Sequence, residues 1–398
     1  MKLAHQIRLN PTHEQEVYFR RACGTARFTY NWALNQWNQQ HAQGKKPKAN
    51  ELKKQFNAVR HVQFPWSGEV HRDCTSQPFA NLNKAFSRFF KKQTRYPVYK
   101  KKGDRDSFYV ANDKIRFEGK VVRLPVIGYV KLREFLRLNG KVLSATVSRK
   151  ANRWLLSVQV DVGAKYTKTH AADRALVVGV DLGVKHLATL STGEKIEGPK
   201  ALGKSLKRLR LLQKSVSRKI KGSNNRRKAK DKVARIHIRA VDVRKDALHK
   251  LTTRLCRENQ AVVVEDLDVK EMVQCRNLSW RVSDQGFYEF RRQLTYKAEI
   301  YGSKLVVADR WFPSSKRCFS CGKVKALLLL SEREYCCDFC GAKEDRDVNA
   351  ARNLEQLGWA TADVKPADKG ALAGSQDSVK QLWMKQESRG EHLCAPKG

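Results

Sequence analysis

The sequence predicts an α/β chain built from several domains, and three observations carry that prediction. The 398 residues are too many for one small core, so roughly two to four domains are expected. Strand-length apolar runs at 175–190, 261–267 and 304–308 alternate with helical stretches, the pattern of helices packed on a largely buried sheet. Between about 95 and 165 the texture changes to short alternating runs separated by turn residues, which marks a second, antiparallel part.

Residues 2 to 9 place Leu3, Ile7 and Leu9 on one side and predict a short strand with a basic outer face. Pro11-Thr12 ends it. Thr12 with Gln15 three residues on is a capping-box pattern, opening a helix through Tyr18, Phe28, Trp32 and Trp37 as far as Gly44-Lys45-Lys46-Pro47. More helix is expected over 50–60. A third helix, about 76–92, carries Leu82, Ala85, Phe86, Phe89 and Phe90 on one face, an apolar stripe of the kind that packs into a core. Its basic residues, Lys84 and Arg88 among them, face elsewhere and suit an anionic partner. Further on, Lys114 to Phe117 and Lys120 to Leu124 flank Glu118-Gly119 as one hairpin, and Ser144 to Ser148 and Arg153 to Val160 flank Lys150-Ala151-Asn152 as another. Strand 2–9 could complete an antiparallel barrel or sheet from far away, which would make the helical module an insertion.

The run A-L-V-V-G-V-D-L-G-V-K-H-L-A-T-L at 175–190 reads as a buried strand, a glycine and a second strand. Asp181 lies within the first. A carboxylate there costs several kcal/mol unless it is paired or bound to metal; the bland alternative is an aspartate that turns the chain or caps a neighbour. Gly179 and Gly183 remove bulk on either side, as a close-approaching backbone or ligand requires. Residues 203–258 follow as a basic helical region with Leu206, Leu209, Leu212 and Val216 on one stripe, and a break near Gly222 predicts a helical hairpin. Its Lys207, Arg208, Lys214, Arg218, Arg226 and Arg227 would ordinarily form a solvated face, but with this net charge they are candidates for a nucleic-acid backbone. In A-V-V-V-E-D-L at 261–267, alternation puts Glu265 on the face of Val263, opposite Val262 and Val264. Asp266 points the other way and reads as a cap. A polar loop, a helix over 285–301 and a strand over 304–308, followed by Asp309, come next.

The segment from Cys318 reads C-F-S-C, then fifteen residues, then C-D-F-C. Two C-x2-C knuckles predict a tetrahedral thiolate zinc site at Cys318, Cys321, Cys337 and Cys340. The doublet Cys336-Cys337 leaves a C-x3-C register open, although C-x2-C matches the partner knuckle. D-R-D-V-N-A-A at 345–351 then opens a helix at Asp347, and a structural zinc beside it would determine where that carboxylate sits. From about Gly358 periodicity fades and a flexible tail is expected.

Eighty Lys and Arg against 39 Asp and Glu give a net charge of +41, far beyond what solubility requires, and a polyanionic partner is the natural compensation. No run approaches the roughly 18 apolar residues of a spanning helix. The first residues, Met1-Lys2-Leu3-Ala4-His5-Gln6, lack an apolar signal region, so a cytoplasmic chain working on nucleic acid is expected. Of ten cysteines, five cluster between 318 and 340. Cys23, Cys74, Cys256, Cys275 and Cys394 are scattered and read as small buried hydrophobes of a reducing compartment.

A strand with Asp181, a hairpin, helices, a strand ending in Glu265, a helix, a strand and a helix opening at Asp347 is the order of an RNase H-like core, with three acids reaching one edge. Hard magnesium ions prefer oxygen ligands, and two of them about 3.5–4 Å apart need several carboxylates to activate water and stabilise a leaving oxygen. Asp345 and Asp309 are rivals for the third position. Two residues apart on a helix, Asp345 and Asp347 do not share a face; Asp347 is preferred, with Asp345 as the cap.

G-V-D-L-G at 179–183, V-V-V-E-D-L at 262–267, F-P-S-S-K-R-C-F-S-C-G at 312–322 and D-R-D-V-N-A-A at 345–351 resemble the TnpB proteins encoded by bacterial insertion sequences, relatives of type V CRISPR effectors. R-L-N-P-T-H-E-Q at 8–15, Y-N-W-A-L-N at 30–35 and L-T-Y-K at 294–297 extend the likeness over nearly the whole chain. The resemblance implies a RuvC-type DNA endonuclease guided by an RNA from the element's end. Such a protein reads a short motif beside a double-stranded target while base pairing reads the target itself. It implies Asp181, Glu265 and Asp347 as the catalytic, magnesium-binding triad and structural zinc at the four cysteines, with a single chain on one RNA favoured. It further implies a wedge β-barrel from 1–10 and 95–170, a helical recognition domain at 11–94, a RuvC-like nuclease domain at 171–310 and 342–357, a zinc ribbon at 311–341 and a flexible tail at 358–398. Gln77 and Lys84 lie where the family's helical module approaches DNA. The expected location is the bacterial cytoplasm, on the nucleoid when bound to DNA.

Two other readings stay open at this point. One is a nuclease-silent RNA-guided DNA-binding repressor, against which the three intact acids count. The other is a transposase that joins DNA strands on the same type of core without RNA.

Overall fold

The computed structural model describes residues 1–163, 175–275, 279–329 and 331–361. The chain divides into two compact units at 166/167.

In the first unit, β1 (Lys2–Asn10) buries Ile7 and Leu9 and turns Lys2, Ala4, Gln6 and Arg8 outward. Thr12 caps α1 (His13–Ala42): its hydroxyl accepts the Gln15 N–H at 3.3 Å, and the Gln15 side chain accepts the Thr12 N–H at 3.1 Å. The capping box therefore forms as the sequence predicts. Helix α1 serves two cores. Phe19, Ala22, Cys23 and Ala26 lie against the sheet, whereas Tyr30, Ala33, Leu34 and Trp37 pack with Leu52 and Phe56 of α2 (Ala49–Gln63) and Phe79, Leu82 and Phe86 of α3 (Asp73–Phe90). The α3 stripe is narrower than expected: Phe89 is half-buried, and Phe90, the last residue of the helix, is 68% exposed.

The remaining strands of this unit are β2 (Ser107–Ala111), β3 (Arg116–Glu118), β4 (Val121–Leu124), β5 (Gly128–Leu132), β6 (Lys141–Lys150) and β7 (Arg153–Asp161). They join β1 in one sheet of order β2-β6-β7-β1-β5-β4-β3. Strand β1 thus completes the sheet from far away, pairing antiparallel with β7 from Lys2 to Arg8 and with β5 at Leu9 and Asn10. The expected barrel does not close. Strands β2 and β3 stand at opposite edges, linked in sequence by a 3-10 turn at Asn112–Lys114 and by no ladder. The three residues of β3 pair with β4, and so short a strand offers little on its other edge for closure. Strands β6 and β7 meet through a two-residue turn at Ala151 and Asn152, with Ala151 at φ +51°, a conformation that favours glycine.

The second unit contains β8 (Ala175–Asp181), β9 (Ala188–Leu190), β10 (Lys195–Ile196), α4 (Leu206–Ser217), α5 (Asn224–Glu258), β11 (Asn259–Glu265), α6 (Val269–Gln274), α7 (Ser279–Gln285), α8 (Phe287–Tyr301), β12 (Lys304–Ala308), β13 (Glu334–Cys336), β14 (Lys343–Asp345) and α9 (Arg346–Thr361). Its main sheet runs β10-β9-β8-β11-β12, with β8, β11 and β12 parallel and the other pairs antiparallel. Alternation sends Val178, Val180, Val262 and Val264 into a core with Leu248 and Leu251 of α5 and Phe290 and Leu294 of α8. Val177, Ala261 and Val263 go to the opposite core with Leu354 and Leu357 of α9. Two glycines let α9 come close. A Cβ on Gly179 would lie 1.9 Å from the Ala351 carbonyl oxygen, and one on Gly358 would lie 2.5 Å from Val263 and 2.6 Å from Val177. Of the two glycines beside Asp181, Gly179 therefore admits the backbone of α9, whereas a Cβ on Gly183 would lie 3.1 Å from the nearby His186 carbonyl oxygen.

Helices α4 and α5 form the expected hairpin. Two further helices, α6 and α7, occupy the stretch read as a polar loop. The L-T-Y-K motif has a structural explanation: buried Lys297 donates to His249 O at 2.7 Å and to the Thr252 and Thr253 hydroxyls at 2.8 Å each, clamping α8 to α5. Burial pulls this lysine down to about 8. Asp266 is not a cap. It pairs with Arg291, and with Arg310 at 3.2 Å, because α8 and the end of β12 bring both guanidinium groups to it. The cap of α6 is Asp268, which accepts the N–H groups of Lys270 and Glu271 at 3.0 and 3.1 Å. The expected tail does not begin at Gly358, which is buried within α9 as that helix continues to Thr361; residues 362–398 lie outside the described residues, as do 164–174 of the expected wedge and nuclease segments. Among the described residues no helix is long and apolar enough to cross a membrane.

Candidate functional site

Asp181 is the last residue of β8, Glu265 the last of β11, and Asp347 the second of α9. Parallel pairing of β8 with β11 brings the first two to the same sheet edge, with Val264 opposite Val180 in register. The N-terminus of α9 supplies the third. Burial pushes the Asp181 carboxyl well above the usual carboxylate range, and the charges of Glu265 and then Asp347 push the same way, while Arg346 opposes. Glu265 is also raised by burial, against a lowering hydrogen bond donated by the Ser314 hydroxyl. A carboxylate raised by its acidic neighbours, as Asp181 is, is relieved by a cation, and an all-oxygen donor set suits a hard divalent ion such as magnesium.

The rivals for the third position are otherwise engaged. Asp345 accepts the N–H groups of Asp347 and Val348 at 3.1 and 3.2 Å, which makes it the cap of α9, and it pairs with Lys195 at 2.6 Å. Asp309 accepts the Trp311 N–H at 2.8 Å in the turn after β12. Beside Glu265 opens a cleft of about 270 Å³ whose lining includes Asp266, Asp268, Tyr288, Arg291 and Arg310.

The four knuckle cysteines come together, with ligand sulfurs all within 4.8 Å of one another. Cys318 and Cys340 sulfurs are 3.7 Å apart and those of Cys321 and Cys337 3.6 Å. Four sulfurs placed tetrahedrally about 2.3 Å from one zinc ion would be separated by about 3.8 Å, so the set fits that ion. The two knuckles repeat one local design. Gly322 N–H bonds Cys318 O at 2.9 Å and Gly341 N–H bonds Cys337 O at 3.1 Å, with φ +72° and +71° at the two glycines. Backbone N–H groups of Cys340 and Phe339 pull the Cys337 thiol down to about 6. Cys336 is on β13 and outside the cluster, so the C-x2-C register is the one formed. Of the scattered cysteines, Cys23, Cys74 and Cys256 are buried as expected; Cys275 is exposed, and Cys394 lies outside the described residues.

The nucleic-acid candidates separate into two groups. Lys84 and Arg88 on α3, Lys207, Arg208 and Lys214 on α4, Arg218 at its end, and Arg227 on α5 are exposed. Gln77 is half-buried and donates to Asn81 at 3.3 Å. Arg226 builds the α4–α5 turn instead, donating from its guanidinium to Lys219 O at 2.8 Å. Sequence reasoning missed Ser314, Asn349 and Asn353, although all three stand in or beside the quoted motifs. The sequence signal was present in S-S-K-R-C and N-A-A-R-N, but no local pattern says what such polar residues reach.

Comparison with known proteins bears on the chain as a whole. Residues 156–276 match a family model described as "Probable transposase" (OrfB of IS605), residues 287–354 match "Cas12f1-like, TNB domain", and residues 1–46 match "Helix-turn-helix domain". In this structure that last stretch is one strand followed by one 30-residue helix. Two curated relatives carry the name "Putative RNA-guided DNA endonuclease". One, from Streptomyces pristinaespiralis, is 39% identical over 96% of each chain; the other, InsQ of Escherichia coli K12, is 34% identical over 90% of this chain and 92% of its own. Among solved structures, a Cas12f1 complex with single-guide RNA and target DNA superposes with a TM-score of 0.55 at 13% identity, covering 92% of this chain and 99% of that one, which is a likeness of fold. With identity of this order over 90% or more of its length, the chain belongs to the TnpB family of insertion-sequence proteins.

Proposed function

We propose that this protein is an RNA-guided DNA endonuclease of a transposable element, hydrolysing a phosphodiester bond in double-stranded DNA beside a short target-adjacent motif. The observation that carries the reading is the placement of Asp181 at the end of β8, Glu265 at the end of the adjoining parallel strand β11 and Asp347 in the first turn of α9, with the charges of Glu265 and Asp347 raising Asp181. Two magnesium ions, when bound, would supply Lewis acidity and a water of lowered pKa. Asp181, Glu265 and Asp347 would hold these ions; Glu265 is held from one side by Ser314, and Asp345 rather than Asp347 caps α9. Zinc at Cys318, Cys321, Cys337 and Cys340 is structural. A guide RNA from the element's end and the DNA backbone neutralise part of the +41 charge through the exposed lysines and arginines of α3, α4 and α5. The wedge and recognition segments would belong to the first unit and the nuclease and zinc segments to the second, with one chain acting on one RNA in the bacterial cytoplasm.

The test is to sequence the RNA that copurifies with the chain and to challenge the particle with a DNA library matching that RNA, with and without magnesium. Cleavage beside a fixed motif is expected, and Asp181→Ala should lower it by roughly a thousandfold or more while leaving target binding intact. Full cleavage by RNA-free protein would overturn the reading. Strand joining without RNA would replace it with a transposase, and binding without cleavage by the unmodified chain would replace it with a repressor.

A further inference from the structure

We infer that Ser314 is a positioning residue through which the four-cysteine segment orients Glu265, holding one carboxylate oxygen so that the other is presented to a divalent cation. The inference rests on the assignment of Glu265 to the metal site made above. Glutamate has three side-chain torsions, and a carboxylate at a strand end stays in one rotamer only if something holds it. Here Ser314, 3% exposed, donates its hydroxyl to Glu265 Oε1 in a half-buried contact, a bond that is stronger when the carboxylate is ionised.

The serine is itself held from α9. Asn353 Nδ2 donates to Ser314 O at 2.9 Å and to Arg317 O at 2.7 Å, and Asn349 Nδ2 donates to the same Arg317 O at 2.7 Å. Asn349 Oδ1 accepts the Phe319 N–H at 3.0 Å. Both asparagines are buried, at 2% and 1% exposure, and stand one turn apart on the helix that carries Asp347. The clamped stretch, 314–319, includes the first knuckle cysteine, Cys318. One helix therefore holds Asp347 directly and holds Glu265 through the zinc loop. Loss of zinc should loosen the loop and release the glutamate, and loss of the serine hydroxyl should release it with the zinc still bound.

A serine that merely fills space predicts otherwise, and Mn2+ binding separates the two. Mn2+ titrations are run on the RNA-loaded particle by electron paramagnetic resonance, with Asp181→Ala particles as the blank for ions held by RNA. Ser314→Ala should weaken the Asp181-dependent Mn2+ binding by about tenfold or more, the usual effect of removing a group that orients a ligand. Zinc content, melting temperature and target affinity should stay near those of the unmodified particle. Ser314→Thr keeps the hydroxyl and should restore binding; if its methyl prevents folding, seen as a lost melting transition, Ser314→Cys keeps the volume with a weak donor and should fall between. Cys321→Ser should weaken Mn2+ as Ser314→Ala does, and the double variant should be no weaker than Cys321→Ser alone. Unchanged Mn2+ binding in Ser314→Ala, or fully multiplicative losses in the double variant, would overturn the inference. An unmodified particle that binds no more Mn2+ than the Asp181→Ala blank would instead overturn the metal site and the proposed function with it.

Discussion

The cysteine cluster and the acidic cluster lie on one unit, yet they are built in opposite ways. The four cysteines span 318 to 340, and each knuckle is closed by its own C-x2-C-G turn, with a left-handed glycine after the second cysteine. The three acids span 181 to 347 and come near enough for Glu265 and Asp347 to act on Asp181 only because two parallel strands and a helix pack together. A local site can form wherever its short segment folds; a distributed site exists only if the core does. The comparison predicts that damage to the cysteines stays local at first and reaches the acids through the contacts of Ser314, whereas damage to the core packing removes the acidic site and leaves the knuckles.

The largest effect should come from Cys318→Ser, which removes one of the two buried members of the four, the one with no exposure at all. The chain should lose its zinc, counted by atomic absorption, and protease sites within 318–345 should open while the first unit keeps its melting transition. Full zinc content in this variant would remove Cys318 from the ligand set. Next comes Gly179→Ala, whose new methyl carbon would overlap Ala351 O at 1.9 Å, backbone that cannot yield without moving α9. A loss of roughly 1–3 kcal/mol of stability, measured by denaturant, and a deep loss of cleavage with zinc retained are expected. Wild-type cleavage here would mean that α9 need not hold Asp347 in place.

A pH effect should follow from the crowded acids. Asp181 and Glu265 have folded-state pKa values raised above those of the unfolded chain, so their contribution to stability is complete below the ordinary carboxylate range and is lost as pH rises through the raised values. In chelator, Asp181→Asn should therefore melt above the unmodified chain at neutral pH and converge with it in acid; added magnesium should narrow the neutral-pH gap. Equal melting at both pH values would remove the repulsion. The smallest effect belongs to a position outside both clusters. Ala151→Gly relieves the positive φ in the β6–β7 turn and should stabilise the first unit by about 0.5–1 kcal/mol, with cleavage unchanged.

The elements were largely legible because their signals are local. The capping box at Thr12 and Gln15, the period-2 alternation of β1, and the apolar run of β12 each act over a few residues, and each appears where the sequence places it. The narrower α3 stripe, the sheet that stays open between β2 and β3, and the helices in the expected loop were not legible. Periodicity says which residues share a face but not whether another element arrives to cover it.

By itself the sequence determined the ligand chemistry: thiolates in two knuckles, carboxylates at element ends, and an excess of positive charge. Tertiary structure decided which of these groups act on one another. Asp266 became the partner of Arg291 and Arg310 rather than a cap, Arg226 became part of a turn rather than an exposed contact, and Ser314 reached Glu265 across 49 residues of chain. The physical reason is range. A turn or a cap is settled by neighbours in sequence, whereas a carboxylate's ionisation and rotamer are settled by whatever the packed core brings within a few ångströms.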